Sequence, residues 1–317
     1  MAALVLPRDR LLGGMIGLVV GDALGVPVEF SHRSDLDRNP VRGMRGYGMH
    51  QQPLGAWSDD GALALAHAAA FIDHGWDARR HLEGFLAWLD EARWTANGKV
   101  FDVGITTRRA IVRFRRGTDP AEVGCRGERD NGNGSLMRIL PASCWWAGSS
   151  TETIIQRVGE ASALTHAHIR AQMCCVLHAL ITDRMLGQWP IAAALQDAGK
   201  RIAPFIPAEE LPIFAPLLDG SCLELPRSKV PSDGYVVSTL IAACWCLHRH
   251  PGFAEAVLAA VNLGEDTDTT GAVVGGLAGL RGGFTGIPQV WTTCLPQSRM
   301  VIELATAFAE ACLSTRR

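Results

Sequence analysis

The sequence predicts an all-α protein. Three observations carry that reading. Long segments place apolar residues at helical spacing rather than in alternation. No run has the apolar–polar alternation of a half-buried strand, and no turn signals recur at the spacing of a β-sandwich. The apolar segments are also too long for ordinary strands.

The elements follow in chain order. "LLGGMIGLVVGDALGVPV" (11–28) is apolar and close to the length of a membrane span. Asp22 lies inside it, Pro27 ends it, and it lacks the cleavage pattern of a signal peptide. A buried helix is expected there, with no membrane partner. Gly13, Gly17, Gly21 and Gly25 recur at every fourth position, on one face where a second backbone can approach closely. Residues 31–57, with Gly43, Gly46, Gly48 and Pro53, predict a loop region. Helices are predicted over 61–75, 78–94, 161–186, 235–250 and 253–264, the last stopped by Gly264. Six prolines punctuate 204–233. Acidic motifs lie on both sides of this stretch, so it is expected to be an insertion in a single domain spanning 1–317.

Of the 317 residues, 48% are hydrophobic and 20% charged, which suits a globular protein with a large core. The formal net charge of −2 gives no global basic field to attract nucleic acid. The basic stretch "TTRRAIVRFRRG" (106–117) is expected to be a solvated helix face, with contact to a partner protein as the sharper alternative. The nine cysteines include no CxxC pair, so buried thiols in a reducing, cytoplasmic setting are expected rather than zinc or a disulfide framework.

Two oxygen-rich clusters stand out. "GEDTDTTGAVVGG" (264–276) places Asp266, Thr267, Asp268 and Thr269 before a small-residue helix. "GAWSDDGALALAHAAAF" (55–71) places Ser58, Asp59 and Asp60 before another. Helix capping explains one such oxygen well, but a helix has few orphan N–H groups to satisfy. Carboxylates this dense repel one another without a cation. Their hard oxygens suit Mg²⁺, Mn²⁺ or Ca²⁺, and two ions about 4 Å apart form a common hydrolytic arrangement. A calcium loop of EF-hand type starting at Asp266 fails, because its twelfth position is Leu277. Asp266, Asp268 and Thr270 also fit the DxDxT signature of haloacid-dehalogenase-type phosphatases, but no apolar strand precedes them and too little chain follows.

The ordered set "GDALGVPVEF" (21–30), "GAWSDDGAL" (55–63), "FDVGITT" (101–107), "GNGSLMR" (132–138), "LTHAH" (164–168) and "GEDTDTTGAVVGGLAGL" (264–280) resembles the ADP-ribosylglycohydrolase family. That family includes the dinitrogenase reductase-activating glycohydrolases and the ADP-ribosylarginine hydrolases. The resemblance implies a compact, orthogonal helical fold and two divalent cations, Mg²⁺ or Mn²⁺. It also implies cleavage of the glycosidic bond between ADP-ribose and a modified protein side chain, arginine first, with ADP-ribose as product. Carried over by motif, the metal ligands are Ser58, Asp59, Asp60, Asp266, Asp268 and Thr269. Glu29 matches the family glutamate near the metals, and Asp102 matches an acidic residue of the ribose pocket. With Asp59 and Asp60 these form the candidate catalytic set. Gly132, Asn133, Gly134, Ser135 and His166 are the candidate substrate contacts. Gly61 stands where many members carry threonine, and restoring threonine is expected to leave hydrolysis intact. The rival classes are a metal-dependent hydrolase of another nucleotide-like substrate, and an immunity or binding protein directed at an ADP-ribosylating toxin or its target.

Overall fold

A computed structural model describes residues 7–315. The all-α expectation holds: among the described residues there is no β-strand, only isolated bridges such as Tyr47–Gln52 and Gly132–Tyr235. The helices are α1 (Arg8–Gly25), α2 (Arg33–Arg38), α3 (Asp59–His74), α4 (Ala78–Glu91) and α5 (Ile105–Arg115). They continue with α6 (Leu140–Trp145), α7 (Thr151–Ala163), α8 (Ile169–Leu186), α9 (Ile191–Ile202) and α10 (Leu211–Leu218). The last are α11 (Val236–Arg249), α12 (Phe253–Val261), α13 (Thr267–Gly282), α14 (Gln289–Thr293) and α15 (Ser298–Ser314).

The architecture is built on the antiparallel pair α1 and α13. Both are apolar on all sides, and every residue of 11–25 and 267–280 is buried. A helix without a polar face belongs at the centre of a protein, and the other helices supply its surroundings. α3, α12 and α15 pack on α1, while α8, α11 and α12 pack on α13. The apolar window that approaches a membrane span in length is 94% buried inside the protein.

The four-residue glycine repeat is a backbone-to-backbone contact. A Cβ at Gly13, Gly17, Gly21 or Gly25 would overlap backbone atoms of Gly283, Gly275, Gly271 or Asp268 respectively. The contact is reciprocal, since Gly271, Gly275 and Gly279 face the carbonyls of Gly21, Gly17 and Gly13. Only glycine lets two helices pack this closely. The pairing draws the C-terminal end of α1 against the start of α13, where the Thr267 hydroxyl donates to the Gly25 carbonyl at 2.9 Å.

One predicted helix is divided. The stretch 161–186 has helical periodicity, but α7 ends at Ala163 and α8 begins at Ile169. The intervening Leu164–His168 segment is held by backbone bonds between Cys125 and Thr165 (3.0 Å) and between Ala167 and Cys125 (2.8 Å). A neighbouring loop thus captures backbone groups that a continuous helix would have used itself. The proline-rich segment forms α10 and short 3₁₀ turns, with Phe214, Leu217, Cys222 and Val230 buried in the core. No disulfide joins the described cysteines, most of which are buried.

The close packing yields a direct test. Gly21→Val should cost about 3 kcal/mol or more, because overpacking a site bounded by backbone cannot be relieved by rotamer changes. Gly282→Ala, whose Cβ would meet nothing within 4 Å, should leave stability unchanged or slightly raised. Equal denaturation midpoints for the two variants would refute the packing argument.

Candidate active site

The two oxygen clusters meet at the junction of α1, α3 and α13. Asp22, near the end of α1, is fully buried and organises the first cluster. It accepts from the Ser58 amide at 2.9 Å and the Gly61 amide at 2.7 Å, and its Oδ1 lies 3.0 Å from Ser58 Oγ. Burial, only partly offset by these bonds, pushes its carboxyl up to about 7. The one carboxylate inside the apolar 11–28 segment was its sequence signal, since acids are rarely buried without a specific partner.

The second cluster is held by the chain on either side of it. The Phe30 amide donates to the Glu265 carbonyl at 2.7 Å, and the Glu265 amide donates to the Ser31 carbonyl at 2.9 Å. This pairing puts Glu29 beside Asp266. One oxygen each from Glu29, Asp266 and Asp268 lie within 4.8 Å of one another. Phe30, Asp102 and Glu265 have φ of 61°, 51° and 60°, left-handed conformations that cost of order 1–3 kcal/mol each. All three adjoin or belong to the acidic site.

Capping does not account for the oxygens. Asp266 is the N-cap of α13 but makes no side-chain cap bond. Instead its Oδ2 accepts from Asn133 Nδ2 at 2.8 Å, while its Oδ1 is buried without a hydrogen-bond partner. Asp268 accepts from the Thr269 amide through Oδ1 at 2.8 Å, and its Oδ2 is likewise orphaned. Asp60 Oδ2 sits 3.0 Å from Ser58 Oγ, and its Oδ1 has no partner. Each carboxylate is thus anchored by one oxygen and bare at the other. A bare buried carboxylate oxygen costs several kcal/mol unless a cation satisfies it. These residues fit a hard divalent ion.

The electrostatics agree. Burial, reinforced by neighbouring acids, pushes Asp59, Asp60 and Asp268 well above the usual carboxylate range. Burial also raises Asp102 and Asp266. Glu29 is raised to about 7, first by burial, even though it is paired with His50 Nε2. The histidine rises in turn because it bonds Glu29. His50 comes from the 31–57 loop and packs against Phe101, with ring centroids 5.4 Å apart. No local pattern in the sequence marks it.

A cavity of about 680 Å³ opens on this cluster, a size that suits a small organic ligand. Glu29, Asp59, Asp102, Asp266 and Thr269 form its acidic wall. Ser58, Asp60 and Asp268 sit behind that wall. The lining also includes Gly132, Asn133, Gly134 and His166, with Asn133 bonded directly to Asp266. Ser135 points elsewhere: it is fully buried and accepts from Ser162 Oγ at 2.8 Å. Of the remaining threonines in the acidic motif, Thr267 bonds Gly25 and Thr270 bonds the Asp266 carbonyl, so neither faces the cavity.

The cavity rim contains residues not singled out from sequence. Asp130 pairs with Arg109 at 2.9 Å, and Glu128 pairs with Arg170 at 2.5 Å, fastening the 127–130 loop to α5 and α8. Arg113 and Arg115 are occupied by the Val123 carbonyl and Asp90, so the basic stretch is largely a solvated helix face with local partners.

Gly61 is more constrained than its lost hydroxyl suggests. A Cβ there would lie 2.8 Å from Trp57 Cδ1 and 3.0 Å from Asp22 Oδ2. The expectation that threonine leaves hydrolysis intact concerns turnover alone; for stability the crowding has a cost, and Gly61→Thr should lower it by about 1–3 kcal/mol. A denaturation midpoint equal to that of the unmodified chain would show that Trp57 yields.

Known proteins resemble this chain over nearly its whole length. The ADP-ribosylglycohydrolase family matches residues 4–317. The ADP-ribosylarginine hydrolase Tri1 of Pseudomonas putida (strain GB-1) is 31% identical over 302 residues, covering 94% of this chain and 77% of that protein. The ADP-ribosyl-[dinitrogen reductase] glycohydrolase of Rhodospirillum rubrum is 30% identical over 292 residues, covering 91% of this chain and 90% of that one. A solved structure described as an ADP-ribosylglycohydrolase-related protein complex superposes with a TM-score of 0.81 at 32% identity, covering 96% of this chain and 98% of that one. With the match running nearly end to end and the acidic clusters assembled at one cavity, this chain belongs to the ADP-ribosylglycohydrolase family.

Proposed function

We propose that this protein is a hydrolase that releases ADP-ribose from a modified protein side chain, with arginine the first candidate, and that two divalent cations, Mg²⁺ or Mn²⁺, assist it. One observation carries the reading. Asp60, Asp266 and Asp268, from opposite ends of the chain, each present a bare buried oxygen behind one cavity. The names of the similar proteins from Pseudomonas putida and Rhodospirillum rubrum support the substrate class. The reducing cytoplasm is the proposed setting, consistent with thiols not joined in disulfides.

The chain's own groups divide the work. Ser58, Asp59, Asp60, Asp266, Asp268 and Thr269, with Glu29 beside them, would hold the cations. When bound, these would supply Lewis-acid stabilisation of oxygens in the cavity. Asp59 and Asp102 line the cavity and are placed to stabilise the positive character that develops at a sugar carbon as its glycosidic bond breaks. Glu29, raised to about 7 and hydrogen-bonded to His50 Nε2, is the group best placed to carry a proton. Asn133 steers Asp266, while Gly132 and Gly134 line the cavity without side chains to fill it.

Asp60→Ala and Asp268→Ala should each lower turnover of an ADP-ribosylarginine protein by at least about 100-fold, because even residues behind metal ligands contribute 10–100-fold. Circular dichroism should show both variants folded. Wild-type rates in both would rule out the cation-assisted reading. If the unmodified protein frees no ADP-ribose from arginine, serine or nucleic-acid linkages, a binding role takes precedence.

The raised carboxyls also set a stability profile for the metal-free protein. Asp22 and Glu29, raised to about 7, contribute stability that is present at low pH and lost as pH rises through 7. Buried His81, His166 and His178, lowered to about 3, act in the opposite sense, and their contribution is complete above the ordinary histidine range. The melting temperature in EDTA should therefore fall between pH 6.5 and 8. Excess Mg²⁺ or Mn²⁺ should abolish the fall, adding roughly 3 kcal/mol at a hundredfold excess over the dissociation constant. A flat EDTA profile, or one indifferent to the ions, would count against a cation site.

A further inference from the structure

Arg138 is a fully buried cation, and no carboxylate pairs with it among the described residues. Its guanidinium donates to the Ala161 carbonyl at 3.3 Å and to the Thr165 hydroxyl at 2.8 Å, and its carbon lies 4.6 Å from the centre of the Phe85 ring. The titratable groups around it are neutral at pH 7: His67, His81 and His166 are held down and the Cys175 thiol is pushed up, in each case first by burial. Burial lowers Arg138 itself only to about 10, so it stays charged. A lone buried charge is a poor stabilising device, since an apolar side chain of similar volume packs as well or better. Its position suggests a different use.

Arginine can only donate, so Thr165 Oγ1 must accept from it. The other partner of this hydroxyl is His166 Nδ1, 2.9 Å away. Thr165 is fully buried, and no third partner for its hydroxyl is present among the described residues. Its single proton is therefore satisfied only by pointing at His166 Nδ1. That nitrogen must then be bare, which leaves the ring proton on Nε2. Nε2 is at the other end of the ring, beside Gly134 on the cavity wall. A Cβ at Gly134 would come within 2.8 Å of Cε1 and 3.2 Å of Nε2, so the glycine keeps this edge of the imidazole uncovered.

We infer that Arg138, acting through the Thr165 hydroxyl, locks His166 in the neutral Nε2–H tautomer, so that His166 offers the cavity a hydrogen-bond donor and never a base. Arg138 and Thr165 are positioning residues. The ligand atom that meets Nε2 must be an acceptor, such as a phosphate or ribose oxygen. This last step rests on the ADP-ribose reading, whereas the tautomer does not. The low proton affinity of His166, set by burial and then by the nearby guanidinium, keeps the ring neutral across the physiological range.

Long-range proton–nitrogen NMR on the full chain, with ¹⁵N-labelled histidine, reads the tautomer directly. The unmodified protein should show His166 as a single Nε2–H form at pH 7. Thr165→Val keeps the shape but removes the relay, and should give a mixed or Nδ1–H form. It should also weaken ADP-ribose binding and raise KM by about tenfold, the scale of one lost hydrogen bond to a polar ligand, with kcat within about twofold. Thr165→Ser should restore both signals. If Thr165→Val does not fold, Arg138→Met serves in its place: without the guanidinium, Thr165 is free to accept from Nδ1–H, and the same mixture is expected. A His166 in the Nδ1–H form in the unmodified protein, or a pure Nε2–H signal with unchanged affinity after Thr165→Val, overturns the inference. A wild type with the expected tautomer that fails to bind ADP-ribose overturns the substrate reading instead, and the two failures are distinguishable.

Discussion

Everything at the cavity depends on how closely α1 approaches α13. Glycine faces glycine along the pair, and the backbones meet where side chains would ordinarily intervene. Because the helices run antiparallel, the end of α1 is pinned to the start of α13. Asp22 and Glu29 thereby reach a motif more than two hundred residues away in sequence. An added methyl group anywhere along this seam would separate the carboxylates as well as the helices. The seam therefore contributes to function by setting distances, and it explains why so apolar a helix sits at the centre of the molecule.

That closeness creates an electrostatic problem which the protein alone does not solve. Asp22 satisfies its own oxygens by organising the Ser58–Gly61 turn. Asp60, Asp266 and Asp268 do not; each retains a bare oxygen. Left-handed backbone at Phe30, Asp102 and Glu265 adds strain to the same place. Strain and unsatisfied charge concentrated at one site are what a binding centre built for a cation looks like before the ion is counted. The remainder of the fold has to be stable enough to carry this burden, and the thoroughly buried core of α1, α13 and their neighbours supplies that stability.

Two different electrostatic strategies meet at the cavity. On the acidic wall, charges crowd together and call for an external ion. Elsewhere in the lining, the buried Arg138 guanidinium, itself outside the cavity, acts through the Thr165 hydroxyl on the His166 imidazole. A ligand with anionic oxygens at one end and sugar hydroxyls at another would find a complementary partner at each. The Arg109–Asp130 and Arg170–Glu128 pairs hold the 127–130 loop in the cavity lining.

Much of this was legible in the sequence because much of it is local. Helical periodicity is a property of neighbouring residues, so α3, α4, α11 and α12 fall close to their predicted positions. The density of oxygen in "SDD" and "DTDT" exceeds what capping can use, so those clusters pointed to a cation without any fold. The glycine repeat likewise announced a close approach, though not to which partner. Other features depend on contacts distant in sequence. The break between α7 and α8 exists because the Cys125 backbone pairs with Thr165 and Ala167. His50 matters because its loop delivers it to Glu29, and Asp22 because its helix ends beneath Ser58. In "DTDTT", helical rotation against α1 turns Asp268 and Thr269 toward the site and Thr267 into the seam. The sequence by itself determined which segments are helical and which oxygens are in excess, since both follow from residues a few positions apart. Only the tertiary structure decided which of those oxygens are left bare and which proton a histidine keeps, because each depends on the one long-range neighbour that packing places within hydrogen-bond reach.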